Sequence, residues 1–127
     1  MVDALLPGLN DQHIVIDCST IASDTAREAA RHVGEKGAGF VDAPVSGGTE
    51  GAKNGTLSIM AGGDEAVFER ARPVLEAMGK SITHMGEVGT GQATKAVNQI
   101  LCAGINQAVC EGMRFAAALD LPLDKVV

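Results

Sequence analysis

Apolar and polar positions along this chain follow two rhythms in turn. "HIVIDCST" carries a continuous apolar run, Ile14 to Cys18, closed by small hydroxyl residues, and reads as a buried strand. "SDTAREAARHVGEKG" switches to helical spacing. Ala26, Ala29, Ala30 and Val33 share one face, Ser23 or Asp24 can cap the start, and Gly37 can close the end. "GFVDAPV" is a second strand halted by Ser46-Gly47-Gly48, "GTEGAKNGT" a loop or one short helical turn, and "LSIMAGG" a third strand. "DEAVFERARPVLEAMG" is a helix that Asp64 can cap, and Pro73 inside it predicts a kink or a late restart. "SITHMG" is a fourth, short strand. From Gly91 to about Leu119 there follows one helical run of ~28 residues, ~42 Å long at ~1.5 Å per residue.

Strands alternating with helices indicate α/β layering. The last helix is too long for the small sheet before it to cover. Its small residues recur every fourth position, at Gly104, Ala108, Gly112 and Ala116. Such a ridge serves either tight packing within the chain or a contact with another subunit or domain. A boundary falls at Glu87 to Gly91, dividing the chain into 1–88 and 89–127. The start, "MVDALLPGLNDQ", reads as the tail of a helix leading straight into a strand, whereas a nucleotide-binding fold opens with a strand and a glycine turn. The end, "LDLPLDKVV", starts a new helix. The chain therefore reads as a middle segment.

Composition narrows the picture. At 127 residues and 46% hydrophobic, the chain has the size and apolar content to bury a core. With three Phe, no Trp and no Tyr, that core must be aliphatic, and stacking platforms for single-stranded nucleic acid are missing. A net charge of -6 also argues against binding a phosphate backbone. Cys18, Cys102 and Cys110 form no C-x-x-C pair and read as buried, reduced thiols of a cytoplasmic protein rather than redox groups. His13, His32 and His84 lack metal-ligand spacing, so no metal site is expected. The first residues have no basic-then-apolar signal pattern. Polar residues from Asn98 to Arg114 interrupt the long helix, so no membrane span is expected.

Two stretches can carry chemistry. "VDAPVSGG" delivers Ser46, Gly47 and Gly48 to a strand end, where open α/β sheets bind ligands. Adjacent glycines can turn successive N–H groups into an anion-binding concavity suited to a carboxylate, or they can form a plain turn. "HMGEVGTGQATKAVNQ" nearly spells the dinucleotide fingerprint, but the third position is Thr94 and no strand follows the helix, so the fingerprint fails in context. What remains is Lys95 and Asn98, i and i+3 on one helix face among Ala93, Ala96, Val97, Ile100 and Leu101. A lysine set against apolar surface can act as an acid or base, although a lysine on a helix is more often a solvated surface group.

In combination the pieces are far more specific. "DCSTI", then "FVDAPVSGGTEGAKNGTLSIMAGG", then Gly89, Gly91, Lys95 and Asn98-Gln99 resemble the β-hydroxyacid dehydrogenase family, in order and over essentially the whole chain. The resemblance implies the later part of a Rossmann-type domain that binds NAD or NADP, followed by the long helix that begins an all-α domain. It implies an oxidoreductase that interconverts a small 3-hydroxy acid with its semialdehyde or 3-oxo acid. Lys95 becomes the catalytic acid/base. Asn98 becomes a holder of substrate oxygens, Ser46, Gly47 and Gly48 the substrate-carboxylate loop, and Thr20 the residue beside the nicotinamide. Several family features have no counterpart in these 127 residues: the first strand with its glycine fingerprint, most of the helical domain with its second lysine, and the residue separating NAD from NADP. Weak or absent coenzyme binding and little activity are therefore expected of the chain alone. Assembly into homo-oligomers is expected through the long helix. The competing expectation is a non-catalytic remnant or interaction module that associates through that helix.

Overall fold

The computed structural model describes residues 2–126. Among them run β1 (Ile14–Asp17), α1 (Ser23–Gly34), β2 (Gly39–Asp42), β3 (Val45–Ser46), α2 (Gly48–Lys53), β4 (Leu57–Gly62), α3 (Glu65–Met78), β5 (Gly79–Gly86) and α4 (Thr90–Ala118). The chain forms two compact units, one ending at Lys95 and the other beginning at Ala96.

The first unit is a mixed sheet with helices on both faces. β1 pairs parallel to β2, and β4 parallel to β5. The two pairs join where Asp42 at the end of β2 meets Gly62 at the end of β4, antiparallel. Adjacent β2 residues feed opposite faces, as the two-residue period of a strand requires. Val41 joins Ile59, Ala61, Phe68, Ala71 and Leu75 beneath α3, while Phe40 joins Ala26, Val33 and Ala38 beneath α1. Each large apolar side chain fully removed from water contributes roughly 1.5–3 kcal/mol. These two patches therefore hold both helices to the sheet. The expected α1 face is the one used, with Ala29 and Ala30 packed beside Ala26 and Val33.

Several local expectations need correction. "GFVDAPV" is two strands, because Pro44 has no N–H to continue the ladder. Its register against β4 nonetheless runs on across the break: Met60 N donates to Pro44 O at 3.1 Å, and Val45 and Ser46 face Ile59 and Ser58. Neither Ser23 nor Asp24 caps α1. Ala22 holds that place without a side-chain bond, because the Ser23 hydroxyl donates instead to Gly89 O at 2.9 Å, and Asp24 pairs with Arg27. Asp64 does cap α3, its Oδ1 accepting from Ala66 N at 3.0 Å and Val67 N at 3.2 Å. α3 then runs through Pro73 without restarting. The buried row of Phe68, Ala71 and Leu75 outweighs the one hydrogen bond that proline removes. The cysteines are not buried: Cys18, Cys102 and Cys110 are all exposed. Cys18 lies in the loop just beyond β1, and the other two on the open flanks of α4.

The second unit is the remainder of α4 and the turn after it. Val97, Ile100, Leu101, Ile105, Val109 and Phe115 are each more than half exposed. Of the small-residue ridge, Gly104, Ala108 and Gly112 are exposed and Ala116 is buried. The helix closes on Asp120, which takes a left-handed φ of 56° so that Leu121 N can donate back to Ala116 O and Asp120 N to Ala117 O. Among the described residues no helix is long and apolar enough to cross a membrane.

Candidate functional site

The strand ends that meet at Asp42 are also where α4 begins. Asp42 is fully buried, and its carboxylate receives the first free N–H groups of that helix: Gly89 N at 2.7 Å on Oδ1 and Gln92 N at 2.9 Å on Oδ2. A helix start carries such orphan donors and a partial positive charge, and a carboxylate satisfies both. Burial pushes the Asp42 carboxyl pKa upward. The N–H bonds from Gly89 and Gln92, and the Arg27 charge, pull the other way.

The helix start lies directly on the sheet. A methyl group at Gly91 would collide with Met60 O and stand 2.7 Å from Asp42 O. Gly91 is therefore needed for close approach. Gly89 adopts φ +90°, turning its N–H to Asp42. The two glycines that nearly spelled a dinucleotide fingerprint thus seat a helix.

Gln92 extends the joint to the loop after β1. Its side-chain Nε2 donates to Ser19 O at 2.7 Å, and its Oε1 accepts from Ile21 N at 3.1 Å. One amide therefore grips both neighbours of Thr20, which is itself exposed. Lys95 stands one turn beyond Gln92, on the same side of the helix by the i, i+3 rule. It is 9% exposed, and no ion pair to it is present among the described residues. The first turn of α4 has no acidic residue. This is not the solvated surface lysine that the lone letter suggests.

The other expected residues are placed as follows. Asn98 is half-buried one further turn along α4, with its amide donating to Gln99 Oε1 at 3.4 Å. Ser46 is half-buried and ends the β2–β3 path. Gly47 and Gly48 follow at φ +133° and +61° and turn the chain into α2. The strand from Asp42 to Ser46 is roughly 13 Å long at ~3.3 Å per residue. Among the described residues no hydrogen bond joins Ser46, Gly47 or Gly48 to Lys95. The structure thus couples the Thr20 loop to the Lys95 turn through Gln92, and Ser46-Gly47-Gly48 only through the chain that runs on from Asp42. Asp42, Gln92 and Ser23 were missed as site-building residues by sequence reasoning. The available signals were a charged residue inside an apolar strand and a glutamine three residues before the lysine. No cluster of His, Cys, Asp or Glu able to hold a metal occurs among the described residues.

A cleft of about 430 Å³ opens beside this loop, walled by Val15, Ile16 and Ile21 and edged by Asp17, Ser19 and Thr25. Its volume lies in the range of small-molecule sites, and Glu28 and His32 add to the polar groups at its edge.

Known proteins are similar to this chain in sequence and in fold. Residues 1–86 match the family described as the NAD binding domain of 6-phosphogluconate dehydrogenase. The 2-hydroxy-3-oxopropionate reductase of Escherichia coli K12 is 50% identical over 103 residues, which is 81% of this chain and 35% of that protein. The 3-hydroxyisobutyrate dehydrogenase of Pseudomonas aeruginosa is 47% identical over 116 residues, covering 88% of this chain and 39% of that one. The structure of Mycobacterium tuberculosis 3-hydroxyisobutyrate dehydrogenase with L-serine superposes with a TM-score of 0.82 at 44% identity, over 86% of this chain and 38% of that one. The chain thus spans about two fifths of the length of the relatives it matches. With the Rossmann-type fold and these relatives in agreement, the chain belongs to the β-hydroxyacid dehydrogenase family.

Proposed function

We propose that this chain carries the acid/base helix and part of the coenzyme and substrate sites of an NAD(P)-dependent reductase. That enzyme interconverts a small 3-hydroxy acid and its semialdehyde or 3-oxo acid. The observation that carries this reading is Lys95: a nearly buried lysine without an ion-pair partner among the described residues, on a helix start clamped to the strand ends.

The residues present fit one end of the coenzyme. The cleft beside Thr20 suits a ring-sized group, while a G-x-G-x-x-G turn for the pyrophosphate is not in these 127 residues. When bound, the coenzyme would supply a hydride to the substrate's carbonyl carbon, or take one from the carbinol carbon in the reverse direction. Lys95 gives a proton from Nζ to the carbonyl oxygen as it gains negative charge, and takes the hydroxyl proton in the reverse direction. Solvent then restores the lost proton. Asn98 steadies the substrate oxygens. Ser46, with the glycine turn at 47 and 48, receives the substrate carboxylate, and Thr20 borders the nicotinamide.

The test is semialdehyde reduction with NADH and NADPH in this chain completed by a relative's flanking regions. Lys95→Ala should lower kcat by about 10²–10⁴-fold, the usual contribution of a general acid. Lys95→Arg should do nearly as badly, since arginine does not release its proton. Ser46→Ala should raise KM more than it lowers kcat, because a carboxylate contact exists in ground and transition states alike. A Lys95→Ala enzyme retaining more than about a third of its kcat, far outside the general-acid range, would overturn the assignment. Calorimetric titration of the 127-residue chain alone should find feeble coenzyme binding, and a micromolar Kd would contradict that part.

A second reading rests on a separate observation, the run of exposed apolar residues from Val97 to Phe115. It makes the second unit an association surface whether or not the first unit is catalytic.

A further inference from the structure

Thr20 sits in a loop that no strand or helix stabilises, between β1 and α1. Yet both of its neighbours are bonded to one side chain 71 and 73 residues away. The Gln92 amide offers an acceptor to Ile21 N–H and a donor to Ser19 C=O, as a neighbouring strand's peptide group would. Gln92 itself is buried at 3% exposure, and both bonds are part-buried, so water competes for them less than at an open surface. Its own backbone N–H is held by Asp42. A shift of the Thr20 loop must therefore break two part-buried bonds or drag the first turn of α4, and with it Lys95.

We propose that Gln92 is a positioning residue: it locks the Thr20 loop to the Lys95 turn, fixing the place of the nicotinamide-side threonine relative to the proton donor. The catalytic half of this inference rests on the function proposed above, whereas the clamp stands on the hydrogen bonds alone. Among the described residues, no other residue of α4's first turns reaches that loop through a side-chain hydrogen bond; the Ser23 bond to Gly89 O tethers α1 instead.

Two substitutions separate positioning from plain stability. Gln92→Met keeps the length and removes both bonds. Gln92→Glu, when ionised, still accepts from Ile21 but sets an oxygen against Ser19 O; when protonated it presents the same donor and acceptor as the amide. Amide exchange of the 127-residue chain, followed by NMR, is the first readout. Gln92→Met should speed Ile21 exchange by about tenfold, the worth of a buried hydrogen bond, while Phe68 and Leu75 in the α3 core are unaffected. Gln92→Glu should lack the Ser19 bond while ionised and return toward wild-type Ser19–Ile21 shifts as it is protonated, at a pH above the ordinary glutamate pKa of ~4.3 because the position is buried and faces a carbonyl oxygen. Unchanged Ile21 exchange in Gln92→Met, or no recovery of Gln92→Glu on acidification, overturns the clamp. The second readout is the reductase assay, where Gln92→Met should cost up to about 10²-fold in kcat, the scale of a small misplacement, with a much smaller effect on coenzyme affinity. Unchanged kcat overturns the catalytic half. A wild-type enzyme with no reductase activity counts against the proposed function, and the exchange readout then decides the clamp by itself.

Discussion

Asp42 shows how one residue can carry a joint and a cost together. Its carboxyl is deprived of water, which raises its pKa despite the two N–H bonds it accepts. The folded chain therefore holds the proton more tightly than the unfolded chain does. This contribution is full below the ordinary value of 3.8 and is lost as pH rises through the raised value. Asp42→Asn cannot ionise, and its amide sets a donor against one of the two N–H groups, a penalty of about 1–3 kcal/mol. Urea unfolding of both proteins from pH 3.8 upward should show a stability gap that narrows as pH rises. A gap that widens would mean the ionised form is the one folding prefers. Little of this was legible beforehand. In "FVDAPV" the aspartate is only a polar letter within an apolar run, and its partners lie 47 and 50 residues on. Periodicity reports neighbours along the chain, so a cap made by a distant carboxylate leaves no local trace. Lys95, Asn98 and Ser46 to Gly48 stood out as candidates from their own stretches, but their roles, and Thr20 itself, emerged only when several motifs were read in order, because each alone is ordinary.

Elements were easier to read than joints, and the exceptions share a cause. Strands and helices whose apolar spacing faces one partner came through: β1, α1, β4, α3 and α4 lie where the pattern puts them, within a residue or a few at their ends. The exceptions occurred where tertiary demand overrode local preference. Ser23 gives up its capping role to bond Gly89 O, and α3 absorbs Pro73 because its buried face outweighs the missing bond. α3 is thereby left more dependent on its start. Asp64→Ala, which strips the bonds to Ala66 and Val67, should destabilise the first unit by about 1 kcal/mol, typical of a lost N-cap. Thermal unfolding with Asp64→Asn as control should show asparagine close to wild type. Equal losses for alanine and asparagine would point to the charge rather than the cap.

At the scale of the whole molecule, α4 gives the first unit its lysine and leaves the second with little to bury. Six large apolar side chains more than half exposed along one helix form the kind of surface that drives association. Sedimentation equilibrium should find a dimer or larger species, and Ile100→Glu with Ile105→Glu should shift it toward monomer. A monomer at high concentration in the unaltered chain would refute this. The joint beneath Lys95 has a further consequence, for the order of events in folding. β1–α1–β2 and β4–α3–β5 each assemble from stretches adjacent in sequence, so their contacts form after short loop closures. The first turn of α4 has partners 47 to 73 residues back, and chain entropy must be given up before any of those bonds exists. Loop-closure entropy thus predicts that it docks after both halves have formed. By the same entropy, the amides of the turn carrying the lysine should exchange hydrogen faster than those of the sheet beneath it.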